Sequence, residues 1–279
     1  MRNRTMLSAQ TIGALGGSMP IRSPVMPASS IALIAALTCT AIAGDVDAFL
    51  AGTSRNCVEC DLAARDLAAR DFKRAKLDGA KLADADLSGT SLFRASLVRA
   101  VLAGAKLKDA NLNLVDAKWA DLSGADLAAA LLYEGDFASA NLARANLQNA
   151  RLGRARLNQA NLEGANLIGA DLRGARLAGA RLAGANMRAV KLDNQNLRGM
   201  DLAGIDFTMS DMVEVDLTGA DLRGANLTGA DLFGAKLNSA DLRGANLEGA
   251  NLANAILTDA RTEGAKFDAA IMPDGKRAE

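Results

Sequence analysis

From Arg55 to Asp274 the chain can be written as 44 consecutive blocks of five residues with no insertion or deletion. The third residue of each block is Leu, Phe or Met in 41 of the 44, and Cys57, Ala117 and Thr262 are the exceptions. The first residue, counted from 60 to 270, is Ala in 31 of 43 blocks, and the residue before the Leu is most often Asp or Asn. On an α-helix five residues advance by about 500°, a net 140°, so the leucines would scatter around the axis instead of forming a stripe. On a flat strand an odd spacing sends alternate leucines to opposite faces. The high helix propensity of Ala and Leu is therefore a misleading guide here. What satisfies the period is a chain that turns a corner once per block and points every Leu at a common axis, with Gly, Asn, Asp and Ser at the corners.

Stretches such as Ala120-Asp121-Leu122-Ser123-Gly124 and Ala160-Asn161-Leu162-Glu163-Gly164 resemble the pentapeptide repeat family, and the resemblance spans residues 55–274. It implies an all-β fold, a right-handed quadrilateral β-helix with four pentads per coil and about 11 coils. At about 4.8 Å per coil the rod would be about 50 Å long. No coil can bury its leucines alone, so each depends on its neighbours. Alanine at the second inward position follows from a narrow interior that a larger side chain would overfill. Leu172→Ala is expected to cost about 2–5 kcal/mol.

Several blocks depart from the pattern. Val190, Gln195, Met200, Ile205, Ser210 and Val215 replace six successive alanines, so the coils around 190–215 should be wider or distorted. Arg65 and Arg70 fall at inward positions of the first coil, whose open end offers them a way to solvent. Ala117 omits a Leu just before Trp119, which suggests a local rearrangement there.

Residues 1–43 have the layout of a secretory signal peptide: Arg2, Arg4 and Arg22 with no acid, an apolar run from Ile31, and Ala41-Ile42-Ala43 before Gly44. The run is too short to span a bilayer. Cleavage after Ala43 would place the protein in the periplasm or outside the cell. A lipoprotein reading through Cys39 and an uncleaved leader are the alternatives, and the long charged start leaves Met19 and Met26 as other initiation sites. Residues 44–54 read as a short capping helix and linker, with Asp45 or Asp47 as N-cap and Val46, Phe49 and Leu50 as the buried face. Beyond Asp274 only residues 275–279 remain to cover the other end. Ile271 and Met272 there suggest an end-to-end homodimer through the C-terminal coil, as the resemblance also implies.

The chain contains no histidine, which removes Ser/His/Asp and Cys/His nucleophilic sites and histidine-ligated metals. Its carboxylates recur at one outward repeat position, and no phosphate-binding glycine loop stands apart from the repeat's own glycines. An enzyme, a metal and a cofactor are therefore not expected. Cys57 and Cys60 form a lone CxxC on successive inward positions, where a disulfide fits; buried thiols and a redox or metal role are the other readings.

Three surface features carry functional expectations. The 32 basic and 32 acidic residues cancel overall but are segregated. A basic belt between Arg144 and Arg198 includes Arg151, Arg154, Arg156, Arg173, Arg176, Arg181, Arg188 and Lys191. An acidic stretch follows, with Asp201, Asp206, Asp211, Asp216, Asp221, Asp231 and Asp241. Cytoplasmic quinolone-resistance members of the resembled family use such a surface to imitate DNA and bind a type II topoisomerase, which would require that residues 1–43 not direct export. The belt lacks the interleaved aromatics that stack on bases, so a nucleic-acid partner is not expected. Finally, Phe93, Tyr133, Val213 and Phe233 share one outward face, with Leu114 and Leu131 beside Tyr133 and Trp119 around the next corner. Large apolar groups outside a rod whose core is full suggest a contact surface for a protein partner. The leading expectation is a non-enzymatic interaction or structural rod.

Overall fold

The computed structural model describes residues 46–279; the leader expected at 1–43, and Asp45, lie outside that range. From Asn56 onward, with two exceptions taken up below, the residue before each inward Leu forms a parallel bridge with the residue 20 positions later: Asn56 with Lys76, Asp61 with Lys81, Asp66 with Asp86, Asp71 with Ser91, and so on to Asn251 with Ile271. Four bridges per 20 residues define four faces, and the chain winds as a parallel β-helix.

One pentad shows why the sequence takes this shape. The Ala120 N–H closes a turn on the Ala117 carbonyl (3.2 Å), Asp121 donates down to Ala100 (2.9 Å), and Leu122 and Gly124 donate up to Asn141 (2.7 Å) and Ala143 (2.9 Å). The remaining donor, the Ser123 N–H, is taken by the Asp121 side chain at 3.1 Å. All five backbone donors are thus satisfied, which a buried backbone demands. The Asp or Asn before each Leu is therefore a turn-forming acceptor. The last residue of the pentad adopts positive φ (+64° at Gly124), which is why glycine recurs there.

Inside, the leucines and alanines are almost wholly buried, from Leu62 to Leu252. Burying one such Leu contributes about 1.5–3 kcal/mol. Three inward polar residues are satisfied in one way. Thr90 Oγ1, Gln195 Nε2 and Ser210 Oγ each donate to the carbonyl 23 residues earlier, that of Leu67, Leu172 and Met187. Inward side chains at the alanine position therefore lean toward the coil beneath.

The rearrangement expected at Ala117 is a volume exchange. Phe137, one coil above, is fully buried, and a Cβ on Gly135 would come within 2.6 Å of its ring and 3.3 Å of Val115. Ala117 and Gly135 together give up the space that Phe137 fills, and Trp119 stays 54% exposed outside.

The two ends differ. Helix α1 (46–50) buries Val46 and Phe49, packs Leu50 against the core, and stacks Phe49 on Phe72 with ring centroids 4.7 Å apart. Arg65 and Arg70 are exposed, and Arg70 donates to the Leu50 carbonyl at 2.8 Å, supporting the C-terminal end of α1. At the other end Leu257, Phe267 and Met272 are only partly buried, whereas Leu237, Leu247 and Leu252 one coil below are sealed. The tail turns back there, with an antiparallel Ile271–Arg277 bridge and the Ala278 N–H on the Ala270 carbonyl at 2.7 Å.

Among the described residues the ladder is interrupted in one stretch. No bridge joins Arg176 with Asn196 or Arg181 with Asp201, although Asp171–Lys191 below, Asn186–Asp206 beside and Asn196–Asp216 above are in place. The inter-coil bonds that the pattern assigns to the N–H groups of Leu177, Gly179, Leu182, Gly184, Asn196 and Asp201 are missing. A cavity of about 710 Å³ opens between the coils, lined by Ala175, Leu177, Ala180, Gln195 and Met200 among others. The distortion expected over 190–215 is thus concentrated below Gln195 and Met200. These are the longest of the six replacements, and long side chains leaning downward hold the lower coil away. Ile205 is intermediate, keeping its bridge while the bond from Asp206 N–H is lost, and Ser210 leaves its face intact.

Candidate interaction surface

Because the interior is filled by two residues of each pentad, chemistry on this rod must come from the outward second, fourth and fifth positions. Cys57 and Cys60 are inward, both 1% exposed, and their sulfurs are bonded to each other with Cα atoms 5.2 Å apart. Among the described residues no group of His, Cys, Asp or Glu is arranged to hold a metal.

The apolar residues share a face without forming one patch. The column reads Phe93, Asn113, Tyr133, Gly153, Arg173, Asp193, Val213, Phe233, so charged groups separate Tyr133 from Val213 across four coils, about 19 Å at strand spacing. A tight group remains around Tyr133, which is 42% exposed. Its carbonyl accepts from Leu114 N–H (3.0 Å), and that of the half-buried Leu131 accepts from Leu112 (2.7 Å). The ring leans over Gly153, where a Cβ would meet it at 3.3 Å. With Leu131, Asn113, Arg151, Arg154 and Arg173 it borders a surface cavity of about 550 Å³. Leu114 and Trp119 occupy the left-handed corner at φ +58° and +56°, a costly conformation for side chains of their size. Each outward aromatic of this region carries a guanidinium: Arg94 over the half-buried Phe93 at 5.3 Å, Arg99 over Trp119 at 5.5 Å and Arg154 over Tyr133 at 5.8 Å.

Many charges in both belts are paired, mostly with partners in or next to the same belt and in two cases across them, which the sequence did not reveal. In the basic belt Arg154 pairs with Glu134 (3.4 Å), Arg156 with Asp136 (3.4 Å), Arg173 with Asp171 (2.6 Å), Arg181 with Glu163 (2.6 Å) and Arg188 with Asp206 (3.5 Å). Arg151, Arg176 and Lys191 are exposed. In the acidic stretch Asp216 pairs with Arg198 (3.2 Å), Asp221 with Arg223 (2.5 Å) and Asp241 with both Arg243 (2.6 Å) and Arg261 (3.5 Å). Asp201 is exposed, and Asp231 accepts from the Asn251 amide at 2.9 Å. The stacking of Asp201, Asp221 and Asp241 on one face and of Asp211 and Asp231 on another is as the 20-residue spacing implied. Most of these carboxylates also accept their own pentad's N–H, for example Ala203 on Asp201 and Thr218 on Asp216. The Arg223 guanidinium holds the Asp221 carboxyl below its ordinary range, and Arg243 holds that of Asp241 down to about 2.

Asp193 and Asp211 behave differently. Asp193 Oδ1 is buried with no hydrogen-bond partner. Burial, then a hydrogen bond and the charge of Asp211, push the Asp193 carboxyl up to about 6, against the pull of Arg173 and the Val213 N–H.

A family model described as pentapeptide repeats matches residues 56–92, 95–132, 120–159, 155–194, 185–224, 210–249 and 235–273. Among solved structures the chain is similar to HetL, a pentapeptide repeat protein involved in heterocyst differentiation regulation in the cyanobacterium Nostoc sp., at 31% identity over 84% of this chain and 98% of that one (TM-score 0.32). It is also similar to a pentapeptide repeat protein of the cyanobacterium Cyanothece, at 28% identity over 52% and 93% (TM-score 0.30). A third is QnrB1, a plasmid-mediated fluoroquinolone resistance protein, at 24% identity over 59% and 84% (TM-score 0.48). No curated protein matches the sequence.

Proposed function

The chain belongs to the pentapeptide repeat family, and from that premise we propose that it is a non-enzymatic, exported rod that binds a protein partner through the surface around Tyr133. In this reading residues 55–274 make eleven right-handed coils, α1 caps the first, and the partly open coil 255–274 joins a second copy end to end.

The observation that carries the reading is the outward placement of Tyr133, which borders a surface cavity with Leu131, Arg151 and Arg154 and accepts from Leu114 through its carbonyl, on a rod whose leucines and alanines already fill the interior. Exposed aromatics flanked by arginines are what a protein contact uses. The joined Cys57 and Cys60 support an oxidising compartment, as the layout of residues 1–43 does. Among the described residues no helix is long and apolar enough to cross a membrane.

The test couples fractionation to capture. N-terminal sequencing of the cellular protein should give Gly44 in the periplasmic or extracellular fraction. Tyr133→Glu combined with Trp119→Ala should abolish recovery of the partner captured by the native rod. A cytoplasmic full-length chain sinks the export half of the proposal, and undiminished capture sinks the surface half.

The DNA-imitating alternative has as support the stacked Asp201, Asp221 and Asp241. The arginines bonded to Asp221 and Asp241 weaken it, because a neutralised column presents little of DNA's charge. Inhibition of type II topoisomerase supercoiling by the purified rod, lost in Asp201→Ala, would restore it.

A further inference from the structure

The coil 175–194 and the coil 195–214 meet on four faces, of which two have lost their bridges. One holding face is Asn186–Asp206, reinforced by Arg188 reaching Asp206 at 3.5 Å. The other is Lys191–Asp211, and there Asp193 from the lower coil meets Asp211 from the upper. Elsewhere an Asp at Asp211's position accepts its own pentad's N–H, as Asp231 does from Phe233 at 3.1 Å. Here the Val213 N–H acts on Asp193, so the two carboxyl groups are set against each other across the weakest contact in the stack.

We propose that this junction is a hinge, closed by a proton shared between Asp193 and Asp211 and loosened when both carboxylates are ionised.

The groups facing the pair do not remove the repulsion. Arg173, from the coil beneath, is held by Asp171 through two hydrogen bonds of 2.9 and 2.6 Å. Lys191, below Asp211 in the ladder, is exposed to solvent, and Asp231 above adds a further negative charge on the same face. Closing the junction with both groups ionised therefore sets two like charges together with one oxygen buried and unbonded, an arrangement relieved by one proton. The sign of the response follows. With the junction closed Asp193 retains its proton up to about pH 6, and with the junction open and its carboxyl in water it releases the proton near about pH 4. Falling pH through that window favours closure, and rising pH through about 6 removes the stabilisation.

Hydrogen exchange of the full purified chain, followed by mass spectrometry and corrected for intrinsic rates, tests this. The reporting amides are those bonded across the holding faces: Met187, Ala189, Leu192, Asn194 and Asp211. Their protection is expected to be about tenfold higher at pH 5 than at pH 7.5, the fold-change of about one unit left after discounting the shift for partial exposure. The equivalent amides one coil higher should not change. Asp193→Asn, which donates to Asp211 without titrating, should hold the high protection at both pH values. In Gln195→Ala combined with Met200→Ala, the Leu177, Gly179 and Leu182 amides should become protected and the pH response should shrink. Equal protection at both pH values in the native chain overturns the proposal. So does a native-like pH response in Asp193→Asn, or unchanged exchange at Leu177 to Leu182 in the double variant.

Discussion

The coils of residues 75–174 and the junction between 175–194 and 195–214 are built from the same pentads, yet one stack is continuous and the other is open on two faces. Both keep Leu, Phe or Met at the inward third position, Ala117 alone excepted. They differ at the inward first position, where the regular stack has Ala except for Thr90, Val115 and Gly135, and the coil above the gap has Gln195, Met200, Ile205 and Ser210 in sequence. The loss of pairing follows side-chain length around that coil: open below Gln195 and Met200, partial below Ile205, intact below Ser210. Coil spacing is therefore set by the short residue of the pair as much as by the leucine.

The largest expected effect that tests this contrast is a cavity. Leu127→Ala in the regular stack should cost about 2–5 kcal/mol in an equilibrium melt, and Leu177→Ala, beside the opening, distinctly less. Equal costs would mean that the junction packs as tightly as the rest. Next comes overpacking. Ala125→Met should reproduce the gap in the regular stack at a cost of about 1–3 kcal/mol, with faster exchange of the Leu107 and Asp126 amides. Gly135→Ala should cost a similar amount through its clash with Phe137, about 1–3 kcal/mol, and Phe137→Leu should recover part of it. A smaller contrast is in acid sensitivity. The carboxyls of Asp221 and Asp241 are depressed, so their contribution is complete above about pH 4 and is lost as pH falls toward about 2. Acid should thus weaken residues 199–260 below pH 4 while tightening the junction between 6 and 4, and exchange measured across that range separates the two. The smallest effect is at the surface: Arg181→Ala, which removes the exposed pair with Glu163, should shift stability by no more than about 1 kcal/mol.

Much of this was legible from residue spacing. The pentad frame identified Leu62 through Leu252 as interior, placed Arg65 and Arg70 at an open first coil, and located the disturbed coils through Val190 to Val215. What spacing could not supply is direction along the axis. Whether Gln195 leans up or down decides which junction opens, and whether Arg188 and Arg198 reach toward the acidic coils decides whether two belts are patches or partners. The apolar face failed for a simpler reason, since Arg173 and Asp193 lie in the same column as Tyr133 and Val213 and were readable from the start.

The closed hydrogen bonding of a single pentad, as in Ala120 to Gly124, has a consequence for how such a chain changes length. A twenty-residue deletion removes one full circuit and leaves every column above it in line with the columns below. A five-residue deletion is equally easy for the backbone to absorb, but it rotates everything beyond it by a quarter turn. Such a rod tolerates losing a coil far better, as a surface, than losing a corner.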